Sequence, residues 1–166
     1  MTVINAIIVD EFLDNPDLVR QSALSLDFYE TGTFPGLRSD RADRDYEIYI
    51  QKKIEKILNC QIKEWVQDSF RFQICTDNSN TWVHKDSSEW AAVLYLTPSA
   101  PLESGTGLYT GNESNWTLET AIGNVYNRLA LYRGTLPHQS ILPGFGDSIE
   151  TARLTQVFFF NTVNYE

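Results

Sequence analysis

The chain has 166 residues, 42% of them hydrophobic, which is the size and apolar content of one domain with a continuous core. Lys and Arg number 13 against 22 Asp and Glu, a formal net charge of −9, and no basic run exists that could neutralise a line of phosphates, which argues against duplex nucleic acid as a partner. The N-terminal MTVINAIIVDEF has no basic leader, and its apolar run from Ala6 to Val9 is far too short for a signal or membrane segment, so a cytoplasmic protein with no membrane partner is expected.

In chain order, residues 3 to 9 read as a short strand. Asn15 then has the character of a helix cap, Pro16 suits the first helical position, and Asp17 falls where the helix dipole favours an anion. Leu18, Val19, Ser22, Ala23 and Leu26 follow at helical spacing. Phe34-Pro35-Gly36-Leu37-Arg38-Ser39 has turn chemistry and reads as a loop. The charges from Arg38 to Asp45 predict a solvated mixed-charge segment, with a mobile lid over residues 34–45 as the sharper alternative. Tyr46, Ile50, Ile54, Ile57 and Leu58 share one face and predict a second helix.

From residue 62 onward the helical period is lost. Strands are predicted over 62–66, 69–76, 81–85, 90–97, 106–110, 125–132, 137–142 and 151–161, most of them separated by turn signals. The aromatic share of 13% fits pleated, half-buried surfaces better than helix interiors. No linker or repeat divides the chain. The expectation is a single domain over 1–166, mainly β, with a helical support region over 1–61 packed outside a sandwich or barrel over 62–166. Cys60 and Cys75 are too few for a disulfide framework and too far apart for a Cys-x-x-Cys pair, so both are expected to be reduced core residues.

The chain has two histidines. Trp82-Val83-His84-Lys85-Asp86 places His84 and Asp86 on the same side of an extended segment, because side chains alternate along it. His138 lies 54 residues later, inside another predicted strand. Two neutral imidazoles and one carboxylate make a facial triad that leaves open positions on iron for substrate and oxygen. Downstream, alternation turns Arg153 and Thr155 to one side of the last strand, and a guanidinium fork beside a hydroxyl suits a carboxylate. The turn Pro143-Gly144-Phe145-Gly146-Asp147 predicts a hairpin between the strands that carry His138 and Arg153.

His-x-Asp, a distant His, then Arg-x-Thr in a Phe-rich closing strand resembles the Fe(II)- and 2-oxoglutarate-dependent dioxygenases, most closely the prolyl 4-hydroxylase-like group, over roughly residues 70–161. The resemblance implies a double-stranded β-helix, the cupin-like jelly roll, with His84, Asp86 and His138 on Fe(II) at its mouth. It implies that 2-oxoglutarate chelates the iron and meets Arg153 and Thr155 through its distal carboxylate, that Tyr95 resembles a tyrosine touching the same carboxylate, and that Gln73 lies near the other one. Ser104-Gly105-Thr106 resembles a Gly-Gly-Thr stretch with its first glycine replaced. The implied activity is hydroxylation of a small molecule or a peptide or protein side chain, with oxygen consumed and succinate and carbon dioxide released.

Plainer readings stand beside these. Singly, each histidine reads as a polar or capping residue, Tyr95 serves equally well as strand core, and Gln73 reads as structural. Phe158, Phe159 and Phe160 read as a strand buried on both faces, with no catalytic part. Trp82, Trp90, Trp116 and Tyr109 fit either core packing or a substrate pocket. Two other functions share this shell: a non-catalytic jelly-roll binding module, and a metal-dependent hydrolase or isomerase. The first has no need of Asp86 or Arg153, and the second leaves Arg153 and Thr155 without a task.

Overall fold

A computed structural model of the chain describes residues 1–164. Helix α1 (Pro16–Leu24) begins where the Asn15 side chain accepts the Leu18 N–H at 3.2 Å. Helix α2 (Arg44–Leu58) begins where Asp43 accepts the Tyr46 N–H at 3.0 Å, and Asp45 and Glu47 complement the dipole in its first turn. It ends at Asn59, which takes the left-handed conformation at φ 50 and ψ 45. Among the described residues, no helix is long and apolar enough to cross a membrane.

The strands are β1 (Ala6–Val9), β2 (Glu30–Gly32), β3 (Phe34–Arg41), β4 (Gln61–Trp65), β5 (Arg71–Cys75), β6 (Trp90–Tyr95), β7 (Thr106–Asn112), β8 (Asn115–Ile122), β9 (Leu129–Arg133), β10 (His138–Ser140) and β11 (Arg153–Val163). Eight of them form one sheet in the order β1-β9-β6-β11-β5-β3-β2, with β4 also paired to β11. The remaining three form a smaller sheet, β10-β7-β8. All pairings are antiparallel.

β11 shows how alternation divides the molecule. Leu154, Phe158 and Phe160 enter the main core with Ile50 and Ile54 of α2, while Arg153, Thr155, Val157 and Phe159 line the cavity on the other face. α1 is tied to the same sheet by Arg20, whose guanidinium donates to the Leu96 carbonyl at 2.7 Å. Cys60 and Cys75 are buried and unbridged.

Several sequence expectations are corrected. Residues 34–39 are not a loop, and 34–45 is not a lid: most of this stretch is β3, paired with β2 and β5, and it runs through the Asp43 cap into α2. Pro35 and Gly36 hid the strand. Gly36 has φ +69, and a Cβ there would lie 2.0 Å from the Ile74 carbonyl oxygen, so the close approach to β5 requires glycine. Arg38 and Ser39 are buried rather than solvated.

The strand expected over 81–85 is an extended segment held by a single bridge between His84 and His138. The strand expected over 125–132 starts later, at Leu129, because Asn127 adopts φ 62 in a turn. β8 was not anticipated, since exposure of nearly its whole length removes any alternating apolar signal. The strands bearing His138 and Arg153 do not form a hairpin either. β10 pairs with β7 in the small sheet, whereas β11 lies in the middle of the large one.

Candidate metal centre

His84 and His138 are locked by two backbone hydrogen bonds, His84 N–H to the His138 carbonyl at 3.0 Å and the reverse at 2.9 Å. Asp86 is anchored by its own N–H, which donates to the Gly134 carbonyl at 2.7 Å. The bridge sets the two imidazoles with ring centroids 4.4 Å apart.

Each ring then has its tautomer chosen by a carbonyl. Nδ1 of His84 lies 3.1 Å from the Trp82 carbonyl oxygen, and Nδ1 of His138 lies 2.7 Å from that of Leu136. A carbonyl oxygen only accepts, so each Nδ1 carries a proton, and in the neutral ring the lone pair then falls on Nε2. Burial, reinforced by the neighbouring His138, pushes the His84 pKa below the ordinary imidazole value and keeps the ring neutral.

Both lone pairs meet Asp86. Its Oδ2 lies 3.2 Å from Nε2 of His138 and its Oδ1 lies 3.8 Å from Nε2 of His84, and the three ligand atoms fall within 4.8 Å of one another. Oδ2 is buried and has no hydrogen-bond partner. Acceptors facing acceptors at this range repel unless a cation lies between them, so the residues fit a metal ion. Two imidazoles and one carboxylate on one side suit a first-row metal with open positions.

On β11, Arg153 is 2% exposed and donates from Nε to the Ser104 carbonyl at 2.9 Å. Thr155, two residues on, has a buried Oγ1 with no partner. Both line a cavity of about 60 Å³ together with His84, His138, Gln73 and Thr106. A buried guanidinium beside an unsatisfied hydroxyl suits a carboxylate. The Ser104-Gly105-Thr106 turn that cups Arg153 works because a Cβ at Gly105 would lie 1.8 Å from the Ile122 carbonyl oxygen.

The remaining sequence candidates stand further back. Gln73 lines the cavity, but its Oε1 is taken by Arg38 Nε at 2.8 Å. Tyr95 is fully buried and does not line the cavity: its hydroxyl is 2.7 Å from Thr106 Oγ1, and its ring lies 5.7 Å from the Arg153 guanidinium. Trp82 is exposed beside a second cavity, Trp90 is core under the Arg133 guanidinium, and Tyr109 accepts from Gln139 at 2.9 Å.

Sequence reasoning missed three residues at this site: Phe34, Arg38 and Phe159. Arg38 is 6% exposed and lies 3.8 Å over the Phe34 ring, with Phe159 beyond it at 5.8 Å. Burial pulls its pKa down to about 10, against the opposing pull of Asp68, so it remains a cation at neutral pH. The available signal was alternation, which puts Phe34 and Arg38 on one face once 34–41 is taken as a strand. Phe159, assigned no part from the sequence, lines both cavities.

No family model and no curated protein matches the chain. Solved structures do. HygX from Streptomyces hygroscopicus, with nickel, 2-oxoglutarate and hygromycin B bound, is 10% identical over 94% of this chain and 82% of that one, with a TM-score of 0.66. A prolyl-4-hydroxylase from Pseudomonas putida is 18% identical over 94% and 91%, with a TM-score of 0.56. A prolyl hydroxylase from Trichoplax adhaerens, in complex with a hypoxia inducible factor peptide, is 13% identical over 94% and 83%, with a TM-score of 0.57. The chain has the jelly-roll fold of these oxygenases. In this jelly roll the histidines and aspartate sit where the small sheet faces the large one, with Arg153 and Thr155 contributed from the opposite wall.

Proposed function

We propose that the protein is an Fe(II)- and 2-oxoglutarate-dependent dioxygenase that hydroxylates a small-molecule or peptide substrate. Substrate C–H, oxygen and 2-oxoglutarate are converted to C–OH, succinate and carbon dioxide. His84 and His138 would hold the iron through Nε2 and Asp86 through its carboxylate. Iron, when bound, supplies the oxygen activation that couples the oxidation of cosubstrate and substrate.

The observation that carries this reading is the carboxylate receptor beside the metal ligands: Arg153, buried and held by Ser104, next to the partnerless Thr155 Oγ1. A hydrolase would have no use for a buried guanidinium there. The distal carboxylate of 2-oxoglutarate matches it in charge and shape, and the walls formed by Val93, Tyr132 and Val157 keep water from screening the pair. The shared core of α2 and β11 supports residues 1–166 acting as one oxygenase domain.

Anaerobic addition of Fe(II) and 2-oxoglutarate is expected to give a weak visible charge-transfer band, and admission of oxygen is then expected to yield succinate. Arg153→Leu should raise the 2-oxoglutarate dissociation constant by about 100-fold or more, equivalent to losing about 3 kcal/mol from a buried pair, with metal affinity retained. Metal binding with no affinity for 2-oxoglutarate would overturn the assignment.

A further inference from the structure

A second cavity, of about 380 Å³, opens beside the metal ligands and is lined by Arg38, Asp68, Trp82, Asp86, Ser88 and Phe159, among others. Its polar groups are under-used. Arg38 is buried, yet among the described residues only its Nε is hydrogen-bonded, to Gln73. Among the described residues, the one carboxylate within 4 Å of it is Asp68, whose Oδ2 is 3.8 Å from Nη1, too far for a hydrogen bond. Ser88 lines the same cavity, and its buried hydroxyl has no partner.

The terminal nitrogens of Arg38 are not among the buried unpartnered atoms, so they are open to the cavity and free to take an acceptor. Here the fork is already fixed, by Gln73 at Nε and by the Phe34 ring at 3.8 Å, so little ordering is left to be done on binding. Asp68 is equally open. Its side chain is 45% exposed and makes only long contacts, 3.8 Å to Arg38 and 3.6 Å to Arg71. The cavity therefore presents an anion site and a cation site side by side, next to the aromatic faces of Phe159 and Trp82 and to the ligands His84 and Asp86.

Resting on the oxygenase reading, we propose that the substrate is a free amino acid or a close zwitterionic relative. Its carboxylate seats on the terminal nitrogens of Arg38, its ammonium group faces Asp68, and its side chain runs along Phe159 toward the metal. A residue inside a polypeptide has neither terminal charge and would leave Arg38 and Asp68 only their long mutual ion pair of 3.8 Å. Arg38, which lines both cavities, is thus assigned a specificity-determining role beside Arg153.

Protein loaded with redox-inert Zn(II) and 2-oxoglutarate, titrated calorimetrically with the common free L-amino acids and their α-carboxamides, tests this. At least one amino acid is expected to bind, and its carboxamide about tenfold more weakly or worse. Asp68→Asn should weaken that amino acid by a similar factor while moving 2-oxoglutarate affinity by less than about twofold, and Arg38→Met, at a residue that lines both cavities, should weaken the amino acid more than 2-oxoglutarate. The proposal is overturned if no amino acid binds, if the carboxamide binds equally well, or if Arg38→Met weakens 2-oxoglutarate instead, which would assign Arg38 to the cosubstrate. The carboxamide comparison uses the unaltered protein, so misfolding of a variant cannot decide it. Failure to load Zn(II) and 2-oxoglutarate overturns the oxygenase reading together with this one, and is seen before any amino acid is added.

Discussion

Asp86 concentrates the electrostatics of the metal centre in one side chain. Its Oδ2 faces the lone pair of His138 Nε2 at 3.2 Å without a hydrogen bond, an arrangement that a divalent cation relieves. Asp86→Asn keeps the volume and removes the charge. Divalent metal affinity is expected to fall by more than about 100-fold by calorimetry, since even the outer partners of metal ligands are worth about 10- to 100-fold. His84 contributes to the pH dependence of the metal-free protein. Its folded-state pKa is lowered, first by burial and then by His138, so the unfolded chain takes up a proton at a higher pH than the folded one. Stability is therefore full above about pH 6.5, the ordinary imidazole value, and is lost as pH falls through the folded-state value. The side chain is 34% exposed, so the effect is small. Melting temperatures of metal-free protein between about pH 8 and 5 should decline, and those of His84→Gln should decline less; parallel curves would show that His84 is not the group responsible.

At the scale of the element, β3 and β11 build the site from neighbouring positions in the large sheet. β5 lies between them, pairing Leu37 and Leu154 with Ile74, and Arg38 and Thr155 with Gln73. That register puts Arg38, Gln73 and Thr155 in one row across the sheet. β3 can approach β5 only because residue 36 is glycine, with φ +69 and no room for a Cβ. Gly36→Ala is expected to cost about 1 to 3 kcal/mol, read as a lowered urea midpoint, and to displace Arg38 with its strand. A variant as stable as the parent would mean that β3 is not held in this register. The same elements show why the local pattern was only partly legible. β11 has a long apolar run flanked by Arg153-x-Thr155, which reads as a strand without further context. β3 opens with Pro35-Gly36 and continues into charges, the ordinary signature of a loop, and becomes a strand because β2 and β5 supply its partners.

Over the whole molecule, the candidate metal ligands come from a segment between β5 and β6 and from β10 of the small sheet, while the proposed carboxylate receptor comes from β11 of the large one. No part of the site exists in the unfolded chain, so metal binding is linked to folding. At a metal concentration about 100 times the dissociation constant, the stabilisation should be about 2.7 kcal/mol, seen as a shifted urea midpoint and reversed by a chelator. An unchanged midpoint would indicate that these three side chains do not bind together. The main core, centred on Ile50, Ile54, Phe158 and Phe160, lies on the far side of β11 from the site. The main core thus lies on one face of the large sheet, and the candidate site lies on the other beside two smaller apolar clusters that join the sheets.

By itself the sequence determined the secondary structure wherever an element's own period carries it, and with that the β-rich class, while the jelly roll was implied by the resemblance that His84-x-Asp86, His138 and Arg153-x-Thr155 carry. It also determined the types and order of the candidate ligands, because alternation along one extended segment places His84 and Asp86 together whatever lies around them. Only the tertiary structure decided which wall Arg153 comes from. The short turn before it allowed a hairpin, but β10 found its partner in β7 and β11 found β5, β6 and β4. Only the tertiary structure revealed the second guanidinium. A charged residue in a polar stretch looks solvated until strands distant in sequence close over it, and the desolvation that makes Arg38 a candidate for binding a ligand exists only after they have done so.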